Sequence, residues 1–442
     1  MTDRTICVSG EGQAGCLQQE QRLGEKERQA EDEYTGRNKR SAQVDGRTPR
    51  QILPGATIGI LGGGQLGRMI ALKAREMGYR IVTLDPAADS PCGQVADVAF
   101  TGPLDDLAIA REMARVSDVL TYEFENVSDE LVQVLQREAY LPQGGEILRT
   151  TRHRIREKTA LQAIGIPVAP WRPVGSREEL RQAVAELGLP AVLKTATGGY
   201  DGKGQYVLGE LSDIEKAWQT LGSAGRADWS KEETGVETQS AASGSELVLE
   251  GWVDFAKELS VIAARNPNGE VRTFPTAENI HRENILHQSI VPARIPAETD
   301  RAAQELAKRI AEELDVVGLI AVEMFWQEGS LLVNELAPRP HNSGHYTIDA
   351  CATSQFEQHV RAICNLPLGE TRLLTPVVMV NILGEHVEPV LAKANRLGDG
   401  IKLHLYGKAE AKRKRKMGHL NVLGRTVEEA LAKIEQLGIW NG

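Results

Sequence analysis

Asn334 and Glu335 are followed within ten residues by Arg339, His341, Asn342, Ser343 and His345, in the run Asn-Glu-Leu-Ala-Pro-Arg-Pro-His-Asn-Ser-Gly-His (334–345). The apolar run Leu331-Leu332-Val333 leads into it and reads as a core strand. So many polar groups directly after a core strand are costly to bury and hard to explain as packing. Their types suit a metal and anion site built where a strand opens into a loop.

Glu323 adds a second carboxylate. Gly318 to Phe325 and Leu331 to Leu336 read as the arms of a hairpin. A turn over Glu328-Gly329-Ser330 sets Glu323 opposite Glu335, whereas a two-residue turn sets it opposite Asn334. Like charges facing across a sheet repel. Mg²⁺ removes that penalty, being a hard cation held by one or two carboxylates and substrate phosphates. The blander account is an exposed polar face, since strand alternation alone produces such residues.

Glycine supplies the next candidates. Gly198-Gly199-Tyr200-Asp201-Gly202-Lys203-Gly204-Gln205 follows Lys194, which ends a strand. Such a loop lets backbone N–H groups approach phosphate oxygens while lysine adds charge. A Gly-rich hairpin turn is the alternative, and the GK[ST] ending of a Walker A loop is missing. Gly62, Gly64 and Gly67 form GxGxxG between a strand and a helix, with Asp85 ending the next strand. That is a dinucleotide-binding pattern, or a tight strand-to-helix turn with no ligand. The basic run Lys412 to Lys416 is a solvated loop by default, or a nuclear signal.

The elements that must position these residues fall into three blocks. Thr57 to Leu61, a helix over Gln65 to Met77, Arg80 to Leu84 and Asp118 to Tyr122 give a βαβ pattern and a small parallel sheet, assigned to 56–149. A helix from Arg152 to Ile164 opens a second block, 150–372, with strands at 191–194, 204–208, 247–250 and 258–265 and a helix over 300–314. A Gly-, Ser- and Ala-rich loop insertion sits near 222–246. Residues 373–442 form a small β-rich end with a final helix, 427–437. Folded sequence is expected to begin at Ala56. Residues 1–55 are polar and read as a disordered extension, or as the product of a start codon placed too far upstream. Their acidic residues argue against a targeting peptide.

Bulk properties exclude several classes. The net charge of −10 argues against nucleic acid or a membrane surface as partner. No apolar run reaches the ~20 residues that span a bilayer, and a cytoplasmic location is expected. Five cysteines with no CxxC spacing suit reduced thiols.

Taken together, the motifs resemble the ATP-grasp superfamily, and within it the N5-carboxyaminoimidazole ribonucleotide synthase family. The likeness runs from about Thr57 to Gly424 and rests on residues 62–69, 121–127, 198–205, 334–345 and Lys-Met-Gly-His-Leu-Asn at 416–421. It implies an α/β ATP-grasp architecture: a Rossmann-like N-terminal parallel-sheet domain, a central α+β ATP-grasp domain and a small C-terminal β-rich domain. It also implies ATP-driven carboxylation of 5-aminoimidazole ribonucleotide by bicarbonate, through carboxyphosphate, in a homodimer.

By resemblance, Arg154 and Lys194 hold phosphates, and Gly199, Tyr200, Asp201, Gly202, Lys203, Gly204 and Gln205 close over them. Glu250, Gly251, Trp252 and Val253 form the adenine hinge, Glu258 takes the ribose, and His281 lies near ATP. Glu323 and Glu335 bind Mg²⁺, with Asn334 adjoining. Arg339 meets bicarbonate, and Asp201 orients or deprotonates the amine. The ribonucleotide would contact Gln65, Leu66, Tyr200, Asp201, His341, Asn342 and Ser343, with Lys408 and Arg415 on its phosphate. The family's Pro-Gly in the basic loop is replaced by Arg413 and Lys414.

Three other functions compete. One is another ATP-grasp ligase, such as the formate-using glycinamide ribonucleotide transformylase. The others are an NAD(P)-dependent oxidoreductase using the GxGxxG turn, and a nucleotide sensor without catalysis.

Overall fold

The structure is a computed structural model and describes residues 49–199, 202–222, 246–327 and 329–440. Most of the extension expected over 1–55 and nearly all of the insertion expected near 222–246 lie outside the described residues, as do Tyr200 and Asp201. The packed chain begins before Ala56: Ile52 is buried, and its N–H donates to the Cys364 carbonyl at 2.9 Å.

The first block alternates β1 (Thr57–Leu61), α1 (Gln65–Glu76), β2 (Arg80–Asp85), β3 (Val98–Thr101), α2 (Leu107–Arg115), β4 (Val119–Tyr122) and α3 (Asp129–Glu138). The strands form a parallel sheet in the order β3-β2-β1-β4. Every residue of β1 is buried, as expected of a parallel strand covered on both faces.

Helix α4 (Arg154–Ala163) leads into a four-stranded antiparallel sheet made of β5 (Trp171–Val174), β6 (Ala191–Thr195), β7 (Gln205–Leu208) and β8 (Leu247–Gly251), in the order β5-β8-β6-β7. Helix α5 (Arg177–Leu187) covers it; the Ser176 hydroxyl caps its start by accepting the Glu179 N–H.

The larger sheet contains β9 (Lys257–Arg265), β10 (Val271–Thr273), β11 (Ala277–Arg282), β12 (Ile285–Val291), β13 (Gly318–Gln327) and β14 (Ser330–Ala337). Helix α6 (Ala297–Glu313) lays Ala303, Ala307, Ile310 and Ala311 on β9 and β13, the spacing of one helical face. Helix α7 (Gln355–Ile363) packs between this sheet and α1. The β-rich end, β15 (Val377–Leu383), β16 (Ile401–Leu405) and β17 (Lys416–Leu423) with α8 (Val427–Leu437), does not build a sheet of its own. Strand β15 pairs with β12, so the order runs β14-β13-β9-β11-β12-β15-β17-β16, with β10 beside β9.

Candidate active site

The hairpin β13–β14 places the two carboxylates. Gln327 pairs with Ser330, which leaves only two residues for the turn, yet Glu323 still pairs with Glu335. The shift comes from a bulge: Met324 pairs with Val333, and Asn334 is the extra residue. Asn334 and Glu335 therefore sit inside the strand, not after it. The bulge also resets which backbone groups face outward from this edge strand. The Val333 N–H donates to the Pro167 carbonyl at 2.8 Å, and the Leu336 N–H donates to Glu157 Oε2 at 3.0 Å. Those donors are three residues apart where regular alternation gives two.

Charge is concentrated around the pair. Arg154 Nη1 stands 3.4 Å from Glu335 Oε2, and its Nη2 donates to the Gly199 carbonyl at 3.1 Å. Burial, and then the neighbouring Glu335, push Glu323 up to about 7 and Glu157 up to about 8. Glu250 behaves in the opposite way. Burial favours its neutral form, but Lys194 at 2.9 Å and Lys158 at 3.2 Å outweigh that and hold it at about 2. Its carboxylate therefore faces two lysines, near the end of β8 at Gly251. His281 and Glu258 form a close ion pair in which Glu258 overrides burial and raises the imidazole's pKa.

Two clefts open beside these groups. One, of about 370 Å³, lies between the four-stranded sheet and β13; Ala169, Val192, Trp252, Phe255 and Phe325 give it apolar walls, and Lys194 and Glu250 sit among its lining. Phe255 and Phe325 stack with centroids 4.6 Å apart. The second, of about 180 Å³, is bordered by Glu258, Asn279, His281, Glu323 and Asn334. A flat apolar slot that runs into a charged floor suits a nucleotide: base in the slot, phosphates toward the cations.

The donor set also suits a hard cation. Among the described residues Asn334 Oδ1 is buried without a hydrogen-bond partner, beside two opposed carboxylates. Among the described residues no group of three or more His, Cys, Asp or Glu is arranged to hold a metal unaided. Two carboxylates completed by phosphate oxygens are what Mg²⁺ accepts.

The loop after β14 is fixed from behind. Gln355 accepts the His341 N–H at 2.9 Å and donates to its carbonyl at 2.8 Å. Asn342 and Asn381 exchange two amide hydrogen bonds, at 3.0 and 2.6 Å. His341 Nε2 lies 3.4 Å from Glu323, and Arg339 pairs with Glu125 at 2.7 Å. Burial, then the charges of Arg339 and Lys416, hold His341 well below the usual imidazole range, so it is neutral. His345 turns away into a buried cluster with His419 and Tyr406.

The N-terminal glycine turn is already full. The Glu123 carboxylate accepts the Gly64 N–H at 2.8 Å and the Gly67 N–H at 3.2 Å, and Asp85 accepts the Gly63 N–H at 2.7 Å. A carboxylate thus occupies the helix N-terminus where a pyrophosphate would bind. The oxidoreductase reading fails on that observation. Leu66 packs into the core and Gln65 is half-buried.

The remaining expected residues are placed as follows. Gly202 and Gly204 adopt φ of +81° and +69°, and Lys203 is exposed. Arg415 donates to the Glu410 carbonyl at 3.1 Å. Lys408 lies on the same loop. Lys414, where the resembling family has glycine, takes a left-handed φ of +64°. Sequence reasoning missed Glu157 and Lys158, which are 1 % exposed, along with Glu123, Ser260, Asn279, Phe325 and Asn381. One signal was available: α4 has few apolar residues, so its inward face must carry charge.

Comparison with known proteins gives three family matches. Residues 55–148 match the ribonucleotide synthetase preATP-grasp domain, 159–356 the ATP-grasp domain, and 377–433 the phosphoribosylaminoimidazole carboxylase C-terminal domain. The chain is 53 % identical over 370 residues to the N5-carboxyaminoimidazole ribonucleotide synthase of Bacillus subtilis, covering 84 % of this chain and 92 % of that one. A solved N5-carboxyaminoimidazole ribonucleotide synthetase in complex with ADP superposes with a TM-score of 0.83 at 55 % identity, over 89 % of this chain and 99 % of that one. The Aspergillus clavatus N5-carboxyaminoimidazole synthase, solved with ADP and 5-aminoimidazole ribonucleotide, gives 0.77 at 31 % identity, covering 86 % and 97 %.

Proposed function

The chain belongs to the N5-carboxyaminoimidazole ribonucleotide synthase family of ATP-grasp ligases, and on that premise we infer how it carboxylates 5-aminoimidazole ribonucleotide. The reaction consumes ATP and is a step of purine biosynthesis. The observation that carries the residue assignment is the opposed pair Glu323 and Glu335 with the unpartnered Asn334 oxygen between an apolar slot and two cations.

We assign bicarbonate as the carboxyl donor. It is a poor electrophile until one oxygen takes the γ-phosphoryl group of ATP, giving carboxyphosphate and ADP. The exocyclic amine then attacks the carboxyl carbon, the bond from carbon to the phosphate oxygen breaks, and the amine gives up a proton. Asp201 is assigned to receive that proton.

Arg154 and Lys194 hold the phosphates. Glu250 is ionised throughout the neutral range, so it supplies Lys194 and Lys158 with a constant counter-charge. The loop from Gly199 to Gln205 covers the phosphates and excludes water from a labile intermediate. Backbone of Glu250, Gly251, Trp252 and Val253 meets the adenine, and the Glu258–His281 pair meets the ribose. Glu323, Glu335 and Asn334 would hold Mg²⁺. When bound, that ion neutralises charge that builds on the phosphoryl oxygens. Arg339 presents a planar fork to bicarbonate. Gln65, Tyr200, His341, Asn342 and Ser343 are assigned to the acceptor nucleotide, and Lys408 and Arg415 to its phosphate; Leu66 packs in the core.

A cytoplasmic homodimer completes this reading. Among the described residues no helix is long and apolar enough to cross a membrane.

The test is ADP release from purified protein with ATP and Mg²⁺. Release should require 5-aminoimidazole ribonucleotide and rise with bicarbonate. Stimulation instead by glycinamide ribonucleotide with formate would assign the sister chemistry.

A further inference from the structure

Three buried polar residues beneath the cleft have no part in the scheme above: Ser260 on β9, Asn279 on β11 and Ser289 on β12, each at most 4 % exposed. They are joined in a line. Ser289 Oγ lies 2.8 Å from Asn279 Oδ1, and Asn279 Nδ2 lies 2.9 Å from Ser260 Oγ. Ser260 Oγ is 2.8 Å from Ser343 Oγ, which is 2.9 Å from His341 Nδ1. The line crosses three neighbouring strands and ends on a histidine ring whose far nitrogen lies 3.4 Å from Glu323.

Hydroxyls both donate and accept, so such a line has two possible directions. Two groups settle it. The Ser343 backbone N–H points at His341 Nδ1 at 3.4 Å, and a backbone N–H can only donate. At that length the bond is weak: it favours a lone pair on Nδ1, and the hydroxyl of Ser343 has to supply the rest. At the other end Asn279 donates from its amide nitrogen to Ser260, so the Ser260 proton is turned toward Ser343 and the Ser343 proton toward Nδ1. Both ends demand the same direction. The ring proton is left on Nε2, 3.4 Å from Glu323 Oε1.

We propose that Ser289, Asn279, Ser260 and Ser343 form a directional hydrogen-bond chain that locks His341 in its neutral Nε2–H form. His341 is then a fixed hydrogen-bond donor to an anionic oxygen in the cleft, and it does not serve as a base there. Asn279 is the positioning residue that sets the direction. The site's role in carboxylation rests on the reading under Proposed function; the ring's tautomer does not.

The decisive measurement is ¹⁵N NMR of the substrate-free protein, with the His341 signals assigned by their loss in His341→Gln. An unprotonated Nδ1 and a protonated Nε2 are expected. A protonated Nδ1 overturns the proposal, whatever the activity assay gives.

Asn279→Asp replaces the donor with an acceptor of the same shape. Ser260 must then donate backwards, which withdraws the Ser343 proton from Nδ1. The ring should shift toward Nδ1–H, and kcat/KM for bicarbonate should fall about tenfold, the scale of one lost hydrogen bond to a charged group. Ser260→Ala, which cuts the line, should lower kcat/KM in the same direction and gives a second test where Asn279→Asp does not fold. Folded variants that keep the wild-type ring signals and wild-type kcat/KM show that the chain does not act on His341. A wild-type protein with the Nε2–H ring but no turnover of 5-aminoimidazole ribonucleotide contradicts the functional reading and leaves the tautomer standing.

Discussion

Glu323 and Glu335 face each other across a hairpin, and the cost of that arrangement can be measured in solution. Burial and the facing charge raise Glu323 to about 7 and Glu157 to about 8, against 4.5 for an ordinary glutamate. Between those values the folded chain holds protons that the unfolded chain has released. Stability contributed by these groups is therefore present at low pH and is lost as pH rises through the window. Glu250, held at about 2, acts only below its ordinary value and does not offset the loss. The thermal midpoint of ligand-free protein should fall from about pH 5 to about pH 8. Glu335→Gln should flatten that slope while abolishing Mg²⁺-dependent ATP turnover. A midpoint that rises across the same range would show that the two carboxylates do not repel. Strand alternation offered Glu335 or Asn334 as the residue opposite Glu323 and did not choose between them. Glu157 and Lys158 were not legible, because a buried charge leaves no mark on hydrophobic periodicity.

Among the elements, the bulge in β14 decides the geometry. A two-residue turn alone would have set Asn334 opposite Glu323; one extra residue restores the carboxylate pair. Glu157, from α4, accepts the Leu336 N–H just beyond the bulge. Glu157→Leu leaves that N–H buried and unpaired, at a cost of about 1–3 kcal/mol. Glu157→Gln keeps an acceptor and should lose little stability. Urea unfolding should separate the two variants, and the Leu variant should also need more Mg²⁺ for half-maximal ADP release. Equal Mg²⁺ requirements would mean that Glu157 supports the fold without setting the pair. The N-terminal glycine turn teaches the same lesson. Its motif was visible, but Glu123, its occupant, lies 59 residues beyond Gly64. Nothing local announces such a pairing.

At the scale of the molecule, the C-terminal strands share the sheet that carries the site. Residues Gln288 to Val291 of β12 pair with Val377 to Val380 of β15, and Ile290 packs in one cluster with Val378, Leu420, Ile434 and Trp440. Removing everything after residue 373 would strip β12 of a neighbour and expose that cluster. A chain ending there should fail to accumulate as soluble protein. A soluble fragment that unfolds cooperatively would show the end to be an independent domain. The same continuity joins Asn381 of β15 to Asn342, so the C-terminal end holds the loop after β14 as well as the sheet.

The sequence by itself determined the family and the ATP-grasp architecture and offered Glu323 and Glu335 as a candidate pair, because motif spacing and strand period are local properties. It also showed that the first glycine turn admits two occupants without choosing between them. Tertiary structure alone chose Glu123, threaded Ser289, Asn279 and Ser260 beneath His341, and brought Lys158 and Lys194 to one carboxylate. These are contacts between residues far apart in the chain. Each exists because a buried polar group must find a partner, and only the folded chain determines which one lies within reach.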